Sequence, residues 1–306
     1  MNIEHEPKPL TLGSAWREGA KRLRQADVEE ADADAELLLL YLLGINKTVL
    51  LRDLREPFPE TKLEEWNSLL QRKRNGEPVQ YIIGEQYFYG RAFEVTSSVL
   101  IPRPETELLA EAILNIADVL WPASDFNEMN GLTLLDVGTG SGILAITMAS
   151  ERPNWRITAS DLSREALAVA GRNAGLNGVE ERIEFVQGDL LQPFIARDEL
   201  DDPKIIDILV SNPPYIPSSD IPHLQREVKD HEPLLALDGG EDGLNPYRIM
   251  SGQLRQLPQL PRLVGWEVGA GQAEDVAELL RAVTDWDEIR FIKDYAGIDR
   301  HVIAIK

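Results

Sequence analysis

Along residues 11–76 apolar side chains recur at helical spacing. Trp16, Ala20 and Leu23 share one face. A second segment, which Asp32 is placed to cap, runs through Leu37–Leu43 to Gly44. A third, striped by Leu63, Trp66, Leu69 and Leu70, begins after Pro59-Glu60-Thr61 and stops at Gly76. The pattern predicts a helical bundle over residues 1–77 with no chemistry in its stripes. Near Gln80 the period changes. YIIGEQYFYGRAFEV is rich in aromatic and β-branched residues and broken by Gly84 and Gly90, which predicts a β-hairpin linker over 78–100. LIPRPETELL (100–109) then leads into a helix, with Pro104 near its start and Glu105 and Glu107 in its first turn.

From Leu132 onward strands and helices alternate. The spacing predicts strands near 133–137, 156–161, 183–187, 205–211, 262–268, 288–294 and 300–306, and helices near 142–152, 163–176, 247–256 and 272–283. This is the signature of an α/β fold, a seven-stranded, doubly wound Rossmann-like sheet over 101–306, whose ligands sit at the carboxyl ends of the strands. Only Ala296-Gly297-Ile298-Asp299 separates the last two strands, too few residues for a crossover, so that pair is expected to be antiparallel.

Composition changes this picture by exclusion. Among 306 residues, 52 acidic side chains face 31 basic ones, a formal charge of −21. Such a field repels phosphate backbones, which argues against a direct nucleic-acid substrate and suits a partner that is basic where it makes contact. With no cysteine, disulfides, thiolate metal sites and a cysteine nucleophile are excluded. The histidines at 5, 223, 231 and 301 lack ligand spacing, and no metal is expected. The opening MNIEHEPKPL is polar, so no secretory signal is visible, and the run Leu37–Leu43 is far too short to span a bilayer. A cytoplasmic protein is expected. The one basic run, Arg72-Lys73-Arg74, precedes Asn75-Gly76 and reads as cations complementing a helix dipole rather than as a binding patch.

The candidate chemistry lies at the predicted strand ends. The first strand runs into LLDVGTGSG, in which Gly138, Thr139, Gly140, Ser141 and Gly142 form a tight turn that lets backbone approach a ligand before a helix begins. The second ends in Asp161, placed to accept hydrogen bonds from ribose hydroxyls. The third ends in FVQGDL, which puts Asp189 where an exocyclic amine could bind and Leu190 against a base. The fourth ends in Asn212-Pro213-Pro214-Tyr215. As a turn it needs no further reason, since Asn-Pro initiates turns and Pro-Pro ends a strand. Three preceding strand ends carrying ligand-type residues favour a site.

This set resembles the class I S-adenosylmethionine-dependent methyltransferases. In that family the fourth strand ends at the methyl acceptor, and an Asn/Asp-Pro-Pro-aromatic motif marks transfer to a planar nitrogen. Such a nitrogen is a poor nucleophile because its lone pair is delocalised. The Asn212 side-chain oxygen and the Pro213 carbonyl can accept hydrogen bonds from the target NH₂, fixing it for attack and favouring the positive charge that develops on it. Tyr215 offers a flat wall for a planar acceptor. Over longer stretches the chain resembles the peptide chain release factor glutamine methyltransferases, the PrmC/HemK family: PVQYIIGEQYFYGRAFEVTSSVLIPRPETELL (78–109), NPPYI, HEPLLALDGGEDGLNPYR (231–248) and EVGAGQAEDV (267–276) carry the likeness. The resemblance implies a helical N-terminal domain for release-factor recognition, a hairpin linker and a catalytic domain. It implies S-adenosylmethionine as cofactor, contacted by Gly138–Gly142, Asp161, Asp189, Leu190 and Asn212. The substrate it implies is the Gly-Gly-Gln glutamine of class 1 release factors, held by Asn212–Tyr215. A monomer is expected. Leu190 departs from some relatives, which carry a larger aromatic there.

Three rivals come from other classes. An adenine-N6 DNA methyltransferase shares the Asn-Pro-Pro-Tyr logic but needs a basic groove and a target-recognition segment. A nucleotide-binding oxidoreductase leaves Asn212–Tyr215 unexplained. A non-enzymatic cofactor-binding module predicts no turnover.

Overall fold

The computed structural model describes residues 10–122, 131–195 and 205–306. His5 and most of the polar opening segment lie outside the described residues. Contacts divide the chain into two units. One comprises residues 1–84 together with 225–231, the other residues 85–224 and 232–306.

The first unit packs α1 (Leu12–Arg24), α2 (Ala31–Leu43), α3 (Lys47–Arg52), α4 (Leu63–Arg74) and the short α5 (Val79–Ile83). Thr11 caps α1 in a reciprocal pair with Ser14. Ala20, Leu23, Leu38, Leu39, Trp66, Leu69 and Leu70 are buried in its core, with Trp16 half-buried against it. Three details differ from the sequence pattern. Asp32 does not cap α2, which starts at Ala31 after Glu30. It sits in the first turn and pairs with Arg24 instead. Leu63, at the first position of α4, is exposed. Gln80–Ile83, expected within the hairpin, are helical. Pro78 precedes this short helix, Gly84 ends it at φ +84°, and its Val79 and Ile82, three apart, share one buried face.

In the second unit the hairpin proper is β1 (Glu85–Phe88) with β2 (Arg91–Glu94). Phe88 and Phe93 are fully buried, in edge-to-face contact at 6.1 Å, inside the main core of this unit. Of the linker expected over 78–100, residues 78–84 thus belong to the first unit and the hairpin itself to the second. There follow α6 (Pro104–Leu120), β3 (Thr133–Val137), α7 (Ile143–Glu151), β4 (Arg156–Asp161), α8 (Arg164–Leu176), β5 (Ile183–Gln187) and β6 (Ile208–Ser211). After α9 (Arg226–His231), which belongs to the first unit, come α10 (Asn245–Leu254), β7 (Leu263–Glu267), α11 (Ala273–Arg281), β8 (Glu288–Lys293) and β9 (Asp299–Ile305). Seven strands form one sheet in the order β5-β4-β3-β6-β7-β9-β8. The first five of these pair in parallel, and β9 runs antiparallel to both β7 and β8, the latter as the short connection 294–298 requires.

Register places the site. Val137 lies opposite both Ser160 and Ser211. Gly138, Asp161 and Asn212 thus emerge side by side at the carboxyl edge, and the order reverses between β3 and β6, the switch point where ligands of this architecture bind. Ser211 fastens the edge by donating its hydroxyl to the Val137 carbonyl at 2.7 Å.

Candidate active site

The turn after β3 is held from below by an acid. Asp136 is buried in the strand. Its Oδ2 accepts the Thr139 hydroxyl at 2.7 Å and the Ala145 amide at 3.1 Å, while its Oδ1 has no partner among the described residues. Gly140 adopts φ +56°, which a side chain would disfavour, and donates its N–H to Asp161 Oδ2 at 2.9 Å. Gly142 adopts φ +88°, and a Cβ there would come within 2.8 Å of Ile146 Cδ1, so the start of α7 fits closely only because this side chain is absent. Asn173 on α8 completes the support, donating to the Ser141 carbonyl at 2.8 Å and exchanging hydrogen bonds with the Glu94 backbone at 2.6 and 3.0 Å. The hairpin and the glycine turn are joined through one buried amide.

A cavity of about 410 Å³ opens over these strand ends, within the range that holds small-molecule cofactors. Its wall brings together Gly138, Thr139, Gly140, Ser141, Asp161, Asp189, Leu190, Asn212 and Pro214. Gly142, Pro213 and Tyr215, also singled out from the sequence, do not line it. Gly142 packs against α7 and α8. Tyr215 is held behind the wall. Its ring stacks under the Arg300 guanidinium at 5.3 Å, its hydroxyl accepts from Arg300 Nη2 at 3.0 Å, and its carbonyl accepts from Gln272 Nε2 at 3.0 Å. Burial raises the Tyr215 hydroxyl above its ordinary pKa, with Glu267 adding to the effect.

Asp161 keeps its place through backbone. Ser163 N–H donates to Oδ1 at 2.9 Å and Gly140 N–H to Oδ2. Burial nevertheless raises its pKa, and these N–H groups oppose the rise. Each oxygen keeps a second lone pair for a ligand hydroxyl. Leu190 adopts φ +50°, a conformation that costs an L-residue about 1 kcal/mol. Its neighbour Leu191 is pinned by donating its N–H to Gln253 Oε1 at 2.9 Å, so the loop presents Leu190 to the cavity at the expense of local strain.

Sequence reasoning assigned no role to Asp136, Arg103, Thr106 or Glu267. An acid inside the apolar run LLDV was the available signal for Asp136. Arg103 reaches the cavity wall and pairs with buried Glu232 at 2.6 Å. Of the two acids expected in the first turn of α6, Glu107 accepts the Tyr89 N–H at 2.7 Å and so closes the hairpin turn.

Burial lifts the Asp136 carboxyl to about 7, against the pull of Thr139 and Ala145. An acid whose folded pKa lies above its unfolded value of 3.8 stabilises the fold at low pH, and that contribution is lost as pH rises through about 7. Asp136→Asn keeps an acceptor for Thr139 and Ala145 and never ionises. It should stabilise the ligand-free protein more at pH 8 than at pH 5, by about 2 kcal/mol. Chemical denaturation at the two pH values measures this, and an equal change at both would refute it.

Known proteins resemble this chain over both units. Residues 14–84 match the family model described as PrmC N-terminal domain, and residues 120–230 match the one described as Methyltransferase small domain. The release factor glutamine methyltransferase of Bacillus subtilis is 40% identical over 295 residues, 96% of this chain and 98% of that protein. Those of Moorella thermoacetica (36% over 297 residues, 97% and 99% of the two chains) and Chlorobaculum tepidum (40% over 274 residues, 89% and 90%) are similar along nearly their whole length. Among solved structures, the human METTL16 catalytic domain in complex with a MAT2A 3′UTR hairpin shares the fold. It has a TM-score of 0.52 at 13% identity and covers 81% of this chain and 82% of that one.

Proposed function

The chain belongs to the release factor glutamine methyltransferases, and from that premise we propose that it methylates the side-chain amide nitrogen of the glutamine in the Gly-Gly-Gln motif of class 1 peptide chain release factors, with S-adenosylmethionine as donor. One observation carries the chemical part of this reading. The Asn212 side-chain oxygen is buried at the cavity wall with no partner among the described residues. An orphaned acceptor in such a place costs stability unless a ligand satisfies it, and an amide NH₂ is a donor of the right kind.

The residues present fit the cofactor. Asp136 Oδ1, buried and without a partner among the described residues, suits a cationic amino group, and the space beyond Gly138 and Gly140, where a Cβ would meet none of the described residues within 4 Å, leaves room for a ligand. Asp161 would hold ribose hydroxyls, with Asp189 and Leu190 at the base. When bound, the donor supplies a methyl group already activated on a sulfonium, so no strong general base is obligatory. The protein's task is then to fix the acceptor nitrogen. The Asn212 oxygen at the cavity wall, and the Pro213 carbonyl that the family resemblance implies beside it, would accept its two N–H bonds, orient its lone pair and favour the charge that grows on it.

Transfer of label from S-adenosylmethionine to a release factor, and its loss when the Gly-Gly-Gln glutamine is replaced, tests this reading. Label appearing elsewhere, or nowhere, would overturn it. An adenine-N6 DNA activity is opposed by the charge of −21. Among the described residues no helix is long and apolar enough to cross a membrane, and a cytoplasmic setting accords with a substrate that serves translation.

Asp161→Ala should weaken S-adenosylmethionine binding by roughly 1.5–3 kcal/mol, the worth of a hydrogen bond to a charged group. Asp161→Asn, which keeps an acceptor for one N–H, should lose less. Unchanged affinity of the alanine variant by calorimetry would remove Asp161 from the cofactor site.

A further inference from the structure

An asparagine amide has two ends of nearly equal shape and opposite hydrogen-bonding character. If the proposed role of Asn212 is right, something must keep its oxygen, rather than its nitrogen, available to the substrate. Register brings the means to hand. Ser211 pairs with Trp266, so the next residues, Asn212 and Glu267, leave neighbouring strands together. α6 lies over β7, so close at its middle that a Cβ on Gly265 would meet Ile113 Cδ1 at 2.6 Å. This packing brings Thr106, fully buried, between Asn212 and Glu267.

The hydroxyl of Thr106 donates to Glu267 Oε2 at 2.7 Å. Its one proton is thereby committed, and its remaining lone pairs can face only a donor. That donor is Asn212 Nδ2, at 3.2 Å. With Nδ2 engaged, Oδ1 points the other way and is the atom left without a partner among the described residues. Glu267 is itself anchored. It is fully buried, Tyr247 donates to its backbone carbonyl at 2.6 Å, and Arg300 Nη2 and His301 Nε2 stand 4.0 and 3.6 Å from its carboxylate. Arg300 also grips Tyr215, so both ends of the Asn-Pro-Pro-Tyr turn are tied to one buried group.

We propose that Thr106 is a positioning residue, its proton held by Glu267, that fixes the Asn212 amide with its oxygen toward the methyl acceptor. Were the amide reversed, its NH₂ would face the substrate NH₂, donor against donor. The inference rests on the function proposed above and adds to it the group that sets the polarity of the acceptor pocket.

The test is a mutant cycle on the full chain with a release factor and labelled S-adenosylmethionine. Thr106→Val keeps the volume and removes the acceptor for Nδ2. Turnover should fall about tenfold or more with cofactor affinity near that of the unaltered enzyme, while the unfolding midpoint drops because Glu267 loses its donor, and Thr106→Ser should restore most of the rate. In an Asn212→Ala background, Thr106→Val should cost nothing further, which a residue that merely supports the fold would not show. Should valine overpack the site, Thr106→Ala leaves Nδ2 equally without an acceptor and reads the same cycle. Near-normal turnover of these variants, or an equal loss with and without Asn212, overturns the relay alone. No transfer to the Gly-Gly-Gln glutamine by the unaltered enzyme removes the functional reading and the relay with it.

Discussion

Asn212→Ala is expected to lower methyl transfer to a release factor by about 100-fold or more, with a far smaller effect on S-adenosylmethionine affinity. The magnitude is that of removing one preorganised acceptor or donor from a site where charge develops during reaction. Here the acceptor is prepared in advance: Oδ1 is already desolvated and has no partner among the described residues, and its amide is already oriented through Nδ2. Little reorganisation remains to be done when the substrate arrives. The cofactor, by contrast, would lean mainly on Asp161, Asp136 and the glycine turn, which the substitution leaves in place, with Asn212 one expected contact among several. Single-turnover rates and calorimetric affinities separate the two quantities. A variant with near-normal turnover would show that the acceptor amide is held by something other than Asn212.

What the sequence disclosed and what it hid follow from the range of the interactions. The glycine turn, Asp161, Asp189 and the Asn-Pro-Pro-Tyr segment stand at the ends of strands that read clearly from their own residues, so sheet order alone brings them together. The antiparallel last pair followed from a count of four connecting residues. The resemblance to the release factor glutamine methyltransferases, stated from the motifs, agrees with relatives up to 40% identical over nearly the full chain. Thr106 and Glu267 could not be found in this way. They lie 106 and 55 residues from Asn212, and only the register of β6 on β7 and the packing of α6 make the three neighbours. Gln80–Ile83 misled for a local reason: β-branched side chains suggested a strand, while the buried pair Val79 and Ile82 followed a helical period. Lys73 misled for a tertiary one. A cation in the last turn of α4 suits the helix dipole, yet this side chain is turned inward.

Lys73→Met is expected to destabilise the helical unit by about 3–5 kcal/mol, because removing one partner strands buried charge of the opposite sign. The Lys73 side chain is 1% exposed. Its Nζ reaches Asp34 Oδ2 at 3.0 Å and Glu227 Oε1 at 2.5 Å, with those side chains 7% and 35% exposed. Burial already raises the Asp34 pKa, and Lys73 is what opposes the rise. Without the cation Asp34 shifts further up, so the cost should be largest above neutral pH and shrink in acid, where the acid carries its proton. Removing both charges, in Lys73→Met with Asp34→Leu, should recover much of the loss, since apolar replacement of a buried pair is often neutral. Glu227 lies on α9, in the segment 225–231 that the chain enters thirteen residues after Asn212 and that counts with residues 1–84. Amide exchange over 225–231 should therefore quicken together with exchange over the described helices before residue 84. If this unit selects the release factor, as we infer from how few contacts a lone glutamine side chain can offer, turnover on intact factor should fall more than turnover on a short Gly-Gly-Gln peptide. Remote binding energy helps to orient the reacting amide, and the peptide has none to lose. Denaturation followed through the buried Trp66, with rates on both substrates, reads all of this. A change within about 0.5 kcal/mol would mean that the ion triad does not hold the unit, and equal losses on factor and peptide would leave the helices no part in recognition.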